Sequence, residues 1–71
     1  MGTNDIGGRP MRFLKLKEVM QKTALSRSAI YRKMDEGRFP KPVSLGDRAV
    51  AWIESEVEEW MEAILLARIS G

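Results

Sequence analysis

The chain has 71 residues, no cysteine, no histidine and a formal net charge of +2. That length supports one small core built from apolar side chains alone, since without cysteine there is neither a disulfide framework nor a zinc–thiolate site. Without histidine the commonest general base and metal ligand is gone, so no metal, cofactor or small-molecule substrate is expected.

The charge is unevenly placed. Residues 9–48 carry eleven lysines and arginines against four carboxylates, a net +7, whereas residues 49–71 carry Arg68 against five glutamates, a net −4. A basic front and an acidic tail point to a polyanion-binding half followed by a structural one. No apolar run approaches the length of a membrane span and no signal-peptide region opens the chain, so a cytoplasmic protein with no membrane partner is expected.

Residues 1–10 are polar, glycine-rich and close on Pro10. They read as a flexible N-terminal arm, a disordered leader despite Arg9, with 11–71 as the folded domain. Met11 to Leu16 is expected to run extended, with Phe13, Leu14 and Leu16 seeking cover. The first helix spans about 16–23, burying Val19 and Met20. Glu18 stands at the N3 place of a capping box whose usual Ser or Thr is replaced by Lys15, so the helix start is weak. Thr23-Ala24-Leu25 forms a short turn, and a left-handed backbone at Ala24 would cost about 1–2 kcal/mol.

The second helix has its own start and stop signals. Ser26 suits the N-cap and Gly37 the left-handed closing position. At 3.6 residues per turn Ile30 and Met34 share a face, with Leu25 just ahead of them. The remaining surface carries Arg27, Ser28, Tyr31, Arg32 and Lys33. An apolar back with forked donors in front is what a helix needs to reach base edges and phosphates. Two short helices, a tight turn and anchors at Val19, Leu25 and Ile30 fit a helix-turn-helix.

After Gly37 the pattern changes. Pro40 and Pro42 exclude helix and suit an edge segment. Val43 and Leu45 alternate around Ser44, Gly46-Asp47 reads as a type II′ hairpin turn, and Arg48 to Trp52 returns as the second strand. This hairpin is a wing with Lys41 at its base and Arg48 beside its tip. Ser55 and Glu58 form a capping box for a last helix, whose Val57, Trp60, Met61, Ile64 and Leu65 make a core-closing stripe. Leu66 and Ile69 lie at the edge of that stripe, where exposure would leave room for self-association.

The candidate DNA-binding residues are therefore Arg27, Ser28, Tyr31, Arg32, Arg38, Lys41 and Arg48. Each also has a plainer reading. Tyr31 can lay its ring at the core's edge, and Arg38 can pair with Asp35 or Glu36. Trp52 and Trp60 sit in apolar periodicities and read as core rather than base-stacking platforms.

Leu25 to Arg32, Gly37 to Val43, and Trp52 followed by Ser55 to Trp60 keep an order and spacing that resembles the AlpA-like prophage regulators, relatives of excisionase and MerR-type domains. The resemblance runs from Arg12 to Trp60. It implies a winged helix-turn-helix, mainly α with a small β-hairpin, that binds double-stranded DNA. It implies either a transcriptional regulator of prophage or integrative-element genes or an excisionase that bends attachment-site DNA. Ala24, where the family usually has glycine, and Lys15, where a capping hydroxyl is common, depart from the pattern. A domain this small reads few base pairs, so a homodimer or tandem binding on DNA is expected. Catalysis is excluded, because the glutamates crowd one helix start with no partner base. A protein-interaction module is the remaining rival, which the clustering of the basic helix and basic hairpin disfavours.

Overall fold

The computed structural model describes residues 5–6 and 9–70, with the side chains of 11–69; the rest of the proposed arm lies outside the described residues. Strands β1 (Asp5–Ile6) and β2 (Arg9–Pro10) pair with each other. Strand β3 (Phe13–Leu14) leads into helix α1 (Leu16–Thr23), then helix α2 (Arg27–Asp35), strands β4 (Val43–Gly46) and β5 (Ala49–Ile53), and helix α3 (Glu54–Ser70). β5 is central in a three-stranded antiparallel sheet of order β3-β5-β4.

The helix ends follow local chemistry. At α1 the Lys15 amide donates to the Glu18 carboxylate at 2.8 Å. The Lys15 ammonium has no lone pair to return, so only half of a capping box forms. The Thr23 hydroxyl donates to Val19 carbonyl at 2.8 Å and accepts from the Leu25 amide, shaping the turn. Ala24 closes the helix at φ 64°, the left-handed geometry that disfavours a side chain. Ala24→Gly is therefore expected to stabilise the domain by about 1 kcal/mol, read as a melting temperature raised by several degrees. Ser26 caps α2, its hydroxyl accepting from the Ala29 amide at 3.2 Å. Gly37, at φ 72°, ends it: the Arg38 amide reaches the Lys33 carbonyl at 2.8 Å and the Gly37 amide the Met34 carbonyl at 3.0 Å. That pair of bonds is a Schellman closure, which needs a residue comfortable in the left-handed region.

The core gathers Leu14, Val19, Ile30, Phe39, Trp52 and Val57, with Leu16, Met20, Leu25, Met34, Trp60 and Met61 packed around it. Every element from β3 to α3 except β4 places a residue in that group. Phe13, expected to seek cover, is instead 47% exposed, because it alternates with Leu14 on the outer side of β3.

Three further expectations are corrected. The hairpin turn lies one residue later than its glycine suggested. Gly46 pairs with Ala49, leaving Asp47 and Arg48 as the loop, both at positive φ (47° and 70°). Two positive values make a type I′ turn rather than II′. Leu45 falls in a bulge, since the pairs step from Ser44–Val50 to Gly46–Ala49. Arg48 is thus a turn residue, not the first of the returning strand. Secondly, α3 begins at Glu54, directly after β5, so Ser55 lies inside its first turn rather than capping it. The Glu54 amide donates to the Arg12 carbonyl at 2.9 Å, a bond from the end of the sheet that replaces a local cap. Thirdly, Ile64 and Leu65 are about half exposed and do not close the core. The last α3 residue packed against the core is Met61. Leu66 and Ile69 are exposed, as expected.

Candidate nucleic-acid interface

The face of α2 away from Ile30 carries the candidate groups. Ile30 is fully buried and Met34 packs beside it, while Arg27, Ser28, Tyr31, Arg32 and Asp35 are exposed. The Arg27 guanidinium lies over the Tyr31 ring, 5.9 Å from its centroid. The Ser28 hydroxyl is 3.4 Å from that of the capping Ser26. Arg32 makes no ion pair with any described residue and points away from the helix's buried side.

Two indoles pin the segment between this helix and the wing. Trp52 Nε1 donates to the Pro40 carbonyl at 3.0 Å and Trp60 Nε1 to the Arg38 carbonyl at 2.7 Å. Between those carbonyls Phe39 is buried, its ring meeting Trp60 edge-on at 4.8 Å and 67°. Proline-rich backbone has few amides with which to fix itself, so these bonds and the Phe39 anchor set where Lys41 leaves the surface. The sequence marked both tryptophans as core, but their anchoring of this segment had no local signal. Trp60 is also only half-buried. The Arg27–Tyr31 contact, by contrast, was legible in principle from its i, i+4 spacing.

The cations divide into two sets. Arg12 bridges Glu18 (3.2 Å) and Glu54 (3.1 Å), and Lys22 bridges Glu54 (3.6 Å) and Glu58 (3.1 Å). This network ties the residue before β3, α1 and α3 together and gives Glu54 and Glu58 structural partners. The Glu58 hydrogen bond, with Coulombic help from both carboxylates, raises the Lys22 pKa above its usual value. A raised lysine pKa stabilises the fold at and below ordinary lysine values, and that contribution is lost only in strongly alkaline solution, as pH climbs through the raised value. Arg38 sits 3.6 Å from Glu36, the plainer of its two readings, although both groups remain largely exposed. Arg27, Arg32, Lys41 and Arg48 form no ion pair with any described residue, which leaves their charge available to an outside partner. Arg32, Lys41 and Arg48 stand on helix, connecting segment and turn respectively, one on each. Among the described residues no three carboxylates cluster as metal ligands would, and no helix is long and apolar enough to cross a membrane.

Helix, turn, helix and a three-stranded wing, closed by a third helix, define a winged helix-turn-helix protein. Residues 12–65 match the family described as the Prophage CP4-57 regulatory protein (AlpA), and the chain belongs to that family. It is 48% identical over 60 residues to the uncharacterized protein ORF88 of Enterobacteria phage P4, covering 84% of this chain and 68% of that one. It is 39% identical over 57 residues to the DNA-binding transcriptional activator AlpA of Escherichia coli (strain K12), covering 72% of this chain and 81% of that one.

Proposed function

We propose that the protein is a sequence-specific, double-stranded-DNA-binding transcriptional regulator of prophage or integrative-element genes. The observation that carries this reading is the second helix of the helix-turn-helix. Its back is locked by Ile30, and its outward face offers Arg27, Ser28, Tyr31 and Arg32 with no described carboxylate occupying the guanidiniums. Such a helix enters the major groove, while cations outside it hold phosphates. Membership of a prophage regulatory family, and a relative named as a DNA-binding transcriptional activator, support the same reading. Lys41 and Arg48 take the role of backbone contacts from the wing; Arg38 joins them by releasing Glu36. Two copies, paired or in tandem, lengthen the site beyond what one small domain reads.

The direct test is a footprint on DNA flanking the protein's own gene and any adjacent integrase gene. Protection at a promoter supports regulation; protection and bending confined to an attachment site favours the excisionase reading instead. No protection at either, at low salt, overturns the proposal.

Within the site, Arg32→Ala and Lys41→Ala are expected to fail differently. A guanidinium forking onto guanine O6 and N7 discriminates by about 1–3 kcal/mol, so losing Arg32 relaxes preference at one base position. Lys41, as a point charge on phosphate, weakens all sequences alike and lowers the salt slope by about 1. Binding to the site and its single-base variants at two salt concentrations separates them. An equal loss across all variants for Arg32→Ala removes that residue from base reading.

A further inference from the structure

We infer that Tyr31 is a positioning residue for Arg27: its ring holds the Arg27 guanidinium as a preformed fork for a guanine edge in the major groove. The inference rests on the DNA-binding reading and extends it to a specific pair of side chains.

The cations of this chain show the alternative clearly. Arg12 is ordered by two carboxylates and Arg38 approaches one, so their N–H donors point at the protein's own anions. Arg27 is ordered without one. Its guanidinium carbon is 5.9 Å from the centroid of the Tyr31 ring, within the range of a cation–π contact. A cation–π contact engages the guanidinium through its charge rather than its N–H groups, so it restricts the side chain and leaves the donors uncommitted. Tyr31 stands one helical turn after Arg27, and helical side chains lean toward the N-terminus, which brings the ring back under the arginine. The Tyr31 hydroxyl makes no hydrogen bond with a described residue, and Tyr31, 39% exposed, is not among the residues packed against the core cluster.

The position suits base reading. Arg27 is the first residue of α2, and in a helix-turn-helix the N-terminal residues of the second helix reach the base edges. A planar fork with two parallel donors matches guanine O6 and N7.

The experiment uses the full chain. A randomised duplex library is enriched on the parent protein, and the enriched duplex and its single-base variants are then titrated with parent, Arg27→Ala, Tyr31→Ala, Tyr31→Phe and the double alanine variant. Arg27→Ala is expected to reduce discrimination at one G·C pair by about tenfold, and Tyr31→Ala to reduce it at the same pair, while Tyr31→Phe stays within about twofold of the parent. The double variant should discriminate no worse than Arg27→Ala alone, because both changes remove one fork. Tyr31→Phe as damaging as Tyr31→Ala, losses at different base pairs, or additive losses would each overturn the inference by making Tyr31 an independent contact. A parent protein that enriches no duplex sinks the DNA-binding reading itself, which is a distinguishable result.

Discussion

Trp52→Ala is expected to unfold most of the protein at ordinary growth temperature. Trp52 is fully buried in the central strand, paired with Leu14 across β3, and its indole N–H holds the Pro40 carbonyl. Truncating a buried tryptophan to alanine costs about 3–5 kcal/mol through lost transfer energy and the cavity left behind. Leaving the Pro40 carbonyl without its partner adds about 1 kcal/mol or more. A domain of this length has roughly 4–10 kcal/mol in total, at 0.05–0.15 per residue. The loss is therefore comparable to the whole stability. Urea titration followed by circular dichroism measures it. Trp52→Phe is the informative companion: it keeps much of the ring volume, so the domain should stay folded, but the Pro40 carbonyl loses its donor and the base of the wing loosens. An alanine variant that melts within a few degrees of the parent would show that the core does not depend on this side chain.

The second large effect is on binding. Arg27, Arg32, Lys41 and Arg48 are free of internal ion pairs among the described residues, and cations that displace condensed counterions make affinity fall steeply with salt. For about five phosphates neutralised by exposed lysines and arginines of the basic half, log affinity against log salt has a slope of about −4 to −5. A fourfold rise in salt then weakens binding by a factor of roughly 300 to 1,000. The ion-pair network supplies the control. Arg12 and Lys22 are engaged with Glu18, Glu54 and Glu58, so replacing either with a neutral residue should lower stability modestly and leave the slope unchanged. The slope is measured by fluorescence anisotropy on a labelled duplex across a salt series. A value near zero would remove the electrostatic basis of the DNA-binding reading.

Much of this protein was determined by the sequence itself, where the deciding energies act between residues a turn or less apart. Ser26 and Gly37 bound α2 because capping hydrogen bonds and a positive φ are local matters. The separation of Ile30 and Met34 from the Arg27, Ser28, Tyr31 and Arg32 surface follows from helical periodicity alone. The strained Ala24 turn was legible for the same reason. What only the tertiary structure decided depends on where distant segments meet. The Gly46-Asp47 pair suggested one turn, but pairing of β5 on both edges set the register and moved the loop to Asp47 and Arg48, carrying a candidate cation into the tip. The periodicity of α3 suggested a stripe burying Ile64 and Leu65, but periodicity cannot say where the core ends, and α3 outruns it. Nor could it say which basic residues would be neutralised: Arg12 and Lys22 looked like any others until β3, α1 and α3 brought glutamates beside them. Phe39, Trp52 and Trp60 fix the segment before the wing through contacts spanning 12 to 22 residues, a range at which no local rule operates.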